Sequence, residues 1–295
     1  MNKQFWISSL IILLLAAVLR FWNLNSLPIF ADESIYVRWS QVMRAESSLR
    51  FLPLSDGKQP LFMWATIPFL KLFTDPLLAG RALSALAGLG TVVGIGLSSF
   101  LLFKNSRQTL ITVLVAAVLP YLVFFDRMAL ADSLLTMFLI WTFNFSYLSF
   151  TYHRLDLAMF AGFALGFAWL TKSPAMFAFF LLPFNILFIP KLNLKNLFFT
   201  IYYLLFTYAI AYGMYNILRL GPEFHMIALR NADYIFPVTE VLRHPLDPLI
   251  PHIKDSFLFL TYFLTPLGLL AAVFGILAGG LSHWRSRRIL LAWWV

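Results

Sequence analysis

The 295-residue chain is 61% apolar and 18% aromatic, with only 12% charged side chains; a soluble domain carries about 25%, so most of this chain belongs in lipid. The net charge of +9 therefore reports where cations lie relative to membrane spans, and no nucleic-acid partner is inferred from it. The lack of cysteine excludes disulfides, thiol catalysis and thiolate metal sites.

The length allows roughly nine spans of about 20 residues each, giving an all-α polytopic bundle. A first span runs from Phe5 to Phe21 with Trp22 as an interfacial anchor, and it is expected to be retained because no small-residue cleavage site follows. The first long polar interruption, Phe30 to Pro60, opens on Asp32 and Glu33 and closes on Lys58. Within it, Ile35, Trp39, Val42 and Met43 recur at helical spacing, which predicts an amphipathic helix lying in the membrane interface. Leu61–Phe73 is a shorter apolar helix ending at Thr74-Asp75-Pro76.

Further spans are expected over Leu77–Phe103, Leu110–Phe125, Ser133–Tyr152, Leu157–Leu170, Met176–Ile189, Leu197–Leu218 and Ser256–Ala278. Glycines at 88, 90, 94 and 96 in the first of these permit close helix packing. Arg219–Asp255 is expected to be a polar loop, and Ile289–Val295 to open a ninth span in which the chain stops. The chain is thus taken as one domain over 1–295, cut short within that span.

With the N-terminus inside, the inner segments hold nine of the 22 cations and one of the 13 acids, Asp156. That asymmetry fits the positive-inside rule. It places Asp32, Glu33, Lys58, Arg81, Asp126, Asp132 and Lys172 on the same, outer side.

Each of these residues also has a structural reading. Asp32 is a fit N-cap for the interfacial helix, Glu33 a supporting or solvated acid, and Lys58 an exposed loop lysine. Two spans of ~14 residues, roughly 21 Å at 1.5 Å per residue, flank Lys172. They fall short of a ~30 Å core, so Lys172 is expected below the outer surface with an anionic partner. Asp132 is that partner, or a cap for the span it opens. Arg81 and Arg127 pair with Asp126 and Asp75 in the structural reading. His225, His244 and His252 match no helical metal motif, and no metal ligand is assigned.

Several ordered motifs carry a family likeness. Asp32-Glu33 follows the first span; Gly57-Lys58-Gln59-Pro60-Leu61 comes next with Trp64, then Ala79-Gly80-Arg81 with Ala85 and Gly88. Arg127 with Asp132, and Gly162 and Gly166 with Leu170-Thr171-Lys172, continue it. The chain resembles the C-superfamily membrane glycosyltransferases, in the branch of protein O-mannosyltransferases and the lipid A aminoarabinose transferase. Gln59 departs from the family's usual proline.

The resemblance implies inverting sugar transfer from a polyprenyl-phosphate donor to an acceptor hydroxyl of a protein, lipid A or a cell-envelope glycan. The expected setting is the outer face of a bacterial plasma membrane, with membrane lipid as surroundings. Such chemistry needs a carboxylate to take the hydroxyl proton and cations for the departing phosphate. Asp32 is expected as the base, Lys58, Lys172 and Arg81 as phosphate ligands, and Glu33, Tyr36, Arg127 and Asp132 as support. No cofactor is assigned, and a divalent metal requirement is left open. Glu33→Gln is expected to be a milder change than Asp32→Asn. The other classes are a transporter and a non-enzymatic assembly protein for lipid-linked saccharides. Against transport, no inverted repeat is visible and the charges gather at helix ends rather than at mid-bilayer.

Overall fold

The computed structural model describes residues 3–188 and 194–278. Fourteen α-helices follow one another, and no strand occurs among the described residues. They are α1 (Lys3–Phe21), α2 (Ala31–Ala45), α3 (Leu61–Leu72), α4 (Pro76–Phe103), α5 (Ser106–Val118), α6 (Pro120–Phe125) and α7 (Ala131–Tyr152). After these come α8 (Leu155–Thr171), α9 (Phe177–Leu181), α10 (Leu194–Tyr215), α11 (Met226–Ala232), α12 (Val238–Arg243), α13 (Leu246–Leu264) and α14 (Pro266–Ala278). Helices α4, α7, α8 and α10 pack side by side in that order, which makes the antiparallel body of an all-α membrane bundle.

Helix starts and stops follow local chemistry. Asp75 caps α4 by accepting the Leu77 N–H at 2.9 Å, with Pro76 opening the helix. Asn105 caps α5 through the N–H groups of Arg107 and Gln108. The glycines of α4 do admit close neighbours. A Cβ at Gly90 or Gly94 would lie 2.6 or 2.7 Å from Met137 or Ile140 of α7.

Among the described residues, four helical stretches can each cross a membrane by length and composition: Lys3–Ser26, Pro76–Phe103, Ala131–Tyr152 and Asn196–Leu220. A fifth crossing is formed only if the pair Leu249–Leu264 and Pro266–Gly275, bent by 103°, counts as one. This is fewer than hydropathy predicts: α8, over the span expected at Leu157–Leu170, is unbroken but only 17 residues long, and the other shortfalls come from backbone breakage. The span expected over Leu110–Phe125 is interrupted at Pro120, which has no N–H to continue α5. The one expected over Ser256–Ala278 is broken at Thr265, whose φ of +65° lies outside helix, just before Pro266. That expected over Met176–Ile189 is a 3₁₀ turn, the short α9 and a further 3₁₀ stretch, Leu182–Phe188. The expected polar loop Arg219–Asp255 is mostly helical, holding α11, α12 and the start of α13. The proposed ninth span lies outside the described residues.

The break at Pro120 carries a compensation. Arg20, fully buried in α1, donates to the Ala117 carbonyl at 2.9 Å and the Ala116 carbonyl at 3.3 Å, oxygens that the interrupted helix leaves short of partners. Its Nε also meets Asp126 at 2.8 Å, and both side chains are buried. Gly88 makes room for that carboxylate, since a Cβ there would come within 2.2 Å of Asp126 Oδ2. The expected pairings of Arg81 and Arg127 with Asp126 and Asp75 are therefore corrected: Asp126 belongs to Arg20, and Asp75 caps α4 and accepts from Asn25.

Helix α2 forms as the amphipathic spacing predicts. Glu33, Tyr36, Val37, Ser40 and Met43 turn inward, while Ile35 is exposed. Tyr36, Val37 and Met43 pack with Phe62 and Met63 of α3 and with Leu83, Met128 and Leu134. This core seats α2 across the end of the bundle where α4 and α7 begin and α8 and α10 finish.

Candidate active site

A carboxylate–guanidinium pair anchors the start of α2. Glu33 is the third residue of that helix and reaches back to accept the Phe30 N–H at 2.9 Å. Its Oε1 also accepts from Arg81 Nε at 2.8 Å and from the Ala129 N–H at 2.7 Å, and Oε2 from Arg81 Nη2 at 2.8 Å. Arg81 spends its remaining N–H groups on the carbonyls of Leu24, Leu27 and Pro28. Neither side chain is exposed. Burial by itself pushes the Glu33 carboxyl up, but the hydrogen bonds from Arg81, Ala129 and Phe30 outweigh it and hold it below its ordinary value of 4.5.

Two sequence expectations change here. Glu33 is not solvated, and Arg81 does not face the pocket; its donors are committed to the protein. Arg127 is likewise a clasp, donating to the carbonyls of Leu19 and Asn23 at 2.9 Å each and to Ser26 Oγ at 3.1 Å.

The loop before α3 presents Lys58. A 3₁₀ turn over Leu52–Asp56 ends on Gly57 at φ +63°, a left-handed conformation that suits glycine. A side chain there would also strike Met226 O and Arg230 Cβ, each 2.6 Å from an added Cβ. The Lys58 N–H is pinned to Pro53 O at 3.0 Å. Its ammonium sits between Asp32 at 3.2 Å and Asp56 at 3.3 Å, over the rings of Tyr36 (4.9 Å) and Trp39 (5.7 Å).

Asp32 is the second residue of α2 rather than its cap, which removes the capping account of this acid. Burial raises the Tyr36 phenol above its ordinary value, and the nearby carboxylates of Asp32 and Asp132 add to the rise, so Tyr36 remains a neutral donor.

Lys172 follows α8 in extended conformation and meets Asp132, at the start of α7, at 2.8 Å. Asp132 is thus the partner that the sequence suggests for Lys172. A cavity of about 530 Å³ joins these elements; Asp32, Tyr36, Lys58 and Lys172 line it, with Arg230 and Tyr234 on a further wall. Sequence reasoning missed Asp56 and Arg230. Arg230 donates to the Asp56 carboxylate at 2.8 Å and to its backbone carbonyl at 3.0 Å, across 174 residues. Only the Ser-Asp-Gly turn signal pointed to Asp56, and nothing local marks Arg230.

His225 approaches Glu223, and His244 approaches Asp247. Among the described residues, no three His, Cys, Asp or Glu side chains gather where a metal could be held. What the pocket offers is one half-exposed carboxylate, Asp32, flanked by cations, at the end of an apolar bundle.

The family model of dolichyl-phosphate-mannose-protein mannosyltransferases matches residues 57–215. The chain belongs to that family. Its Gly57–Tyr215 core contains Lys58, Arg81, Arg127, Asp132 and Lys172, whereas Asp32, Glu33 and Tyr36 lie upstream of the match. No curated protein and no solved structure matches the chain at a significant level. Membership, together with the long apolar helices, makes this a multi-pass membrane glycosyltransferase that works with a lipid-linked sugar and an acceptor.

Proposed function

We propose that the protein transfers a sugar from a polyprenyl-phosphate donor to an acceptor hydroxyl, with inversion, at the outer face of a bacterial plasma membrane. The observation that carries this reading is the convergence of Asp32, Lys58 and Lys172 on one cavity beside the membrane bundle. The acceptor O–H gives its proton to the Asp32 carboxylate while its oxygen attacks the anomeric carbon. The anomeric carbon–phosphate oxygen bond breaks on the opposite face, and the phosphate leaves with its new negative charge. Lys58 and Lys172 stabilise that charge, with Arg230 as a third cation lining the same cavity. In the free protein the two lysines pair with Asp32 and Asp132; the donor phosphate takes the place of those carboxylates and leaves Asp32 free for the acceptor.

Lys58→Ala and Lys172→Ala are each expected to weaken donor binding by about 1.5–3 kcal/mol, the worth of one hydrogen bond to a charged group. Donor affinity and turnover of the purified enzyme measure this. Unchanged values for Lys172→Ala would make that lysine a structural partner of Asp132 only.

Orientation has its own test. Single cysteines at Ser48 and Ser106, in a chain with none, are to be probed from outside with an impermeant thiol reagent. Labelling at 48 and protection at 106 are expected; the reverse pattern overturns the outward-facing site.

A further inference from the structure

The two lysines of the pocket lie on loops more than a hundred residues apart, yet a side-chain bond joins the residues that follow them. Gln59 Nε2 donates to Ser173 Oγ at 2.7 Å. Gln59 succeeds Lys58, Ser173 succeeds Lys172, and both lysines line the same cavity. Each lysine backbone is already pinned within its own element: the Lys58 N–H to Pro53 O at 3.0 Å, the Lys172 N–H to Ala168 O at 3.1 Å. The Gln59–Ser173 bond therefore sets the position of one pinned loop against the other.

Gln59 is 4% exposed, so water does not compete freely for its amide. Tyr215, at the end of α10, lines the same cavity as Gln59. That ring stacks on Trp169 with centroids 3.8 Å apart and planes 10° from parallel. The amide thus bonds the Lys172 loop inside a closely packed wall of the cavity.

We propose that Gln59 is a positioning residue for donor binding. Through Ser173 it fixes the separation of Lys58 and Lys172, so that both ammonium groups meet one phosphate group. The proposal rests on the reading of these lysines as phosphate ligands.

The test is binding of a polyprenyl monophosphate to the purified full chain in nanodiscs, with melting temperature followed in parallel. Gln59→Leu and Ser173→Ala should each weaken binding about two- to tenfold, the range for loss of one neutral hydrogen bond. The double variant should be no worse than either single, because both remove the same bond. Ser173→Thr, which keeps the hydroxyl, should bind as the parent does. In the parent, the losses from Lys58→Ala and Lys172→Ala should be coupled; in the Gln59→Leu background they should become additive, an effect that simple loosening of the fold does not produce. Where Gln59→Leu lowers the melting temperature, Ser173→Ala and its threonine control carry the comparison. Parent-like binding and persistent lysine coupling in both Gln59→Leu and Ser173→Ala would overturn the tie while leaving the phosphate reading intact. Parent-like binding in both lysine variants would overturn the phosphate reading, and the tie with it.

Discussion

Asp32→Asn is expected to lower sugar transfer by about 10²–10⁴-fold, the usual contribution of a positioned general base, while the protein folds and still binds donor. Asparagine keeps the shape of the side chain and removes its capacity to take a proton. The carboxylate is 44% exposed and its partner here is Lys58 at 3.2 Å, so losing the ion pair costs about 0–1 kcal/mol of stability. No capping bond is lost, because Asp32 is not the cap of α2. Turnover with a polyprenyl-phosphate sugar, measured beside donor affinity, separates the roles. Near-parental transfer would end the assignment of Asp32 as base, and an Asp32→Asn protein without any defect would favour a non-enzymatic role. Glu33, the neighbouring acid, cannot take over that role. Glu33 receives four donors on its two oxygens and has no exposure, so it has no route to an acceptor. Asp56, half-exposed and in contact with Lys58 at 3.3 Å, is the other carboxylate on that lysine.

The sequence showed where the chain changes chemistry more clearly than where its backbone breaks. The end of α3 and the start of α4 were visible at Thr74-Asp75-Pro76, although Asp75 caps α4 and is not the arginine partner expected of it. The breaks at Pro120 and Thr265 were hidden because hydropathy averages over an apolar run and ignores one missing N–H. The amphipathic character of α2 was visible, but not which of its residues meet protein: in a membrane bundle both the lipid side and the protein side can be apolar, and of the stripe Met43 is buried while Ile35 is exposed. Asp32, Lys58 and Lys172 were legible because each stands beside a recognisable helix end or turn. Arg230 was not, since its role depends on a contact 174 residues away. The same limit hid Arg20–Asp126 and sent Arg81 to the pocket, when its partner is the acid beside Asp32.

That last pair yields the largest expected effect on stability. Glu33→Gln, from sequence the milder change, is expected to destabilise the protein by about 3–5 kcal/mol, the cost of breaking a buried ion pair by removing one partner. The amide oxygen can still accept, but the amide nitrogen must face donors: Arg81 Nε and the Ala129 N–H on one side, or Arg81 Nη2 and the Phe30 N–H on the other. The Arg81 charge is then left buried without its counter-ion. Arg81→Leu should cost a similar amount, because it strands the Glu33 carboxylate and the carbonyls of Leu24, Leu27 and Pro28 together. The double variant should lose less than the sum, since the pair is a single unit. Acid dependence gives an independent check. The Glu33 carboxyl lies below its ordinary value of 4.5 in the folded protein, so its stabilisation is complete above that value and fades as pH falls through the lowered one. The parent should show this acid-side loss and Glu33→Gln should lack it. Chemical unfolding in detergent at neutral and acidic pH measures both effects. A Glu33→Gln protein within about 0.5 kcal/mol of the parent, as at an ordinary surface site, would mean that the clasp with Arg81 does not anchor the start of α2 on α4.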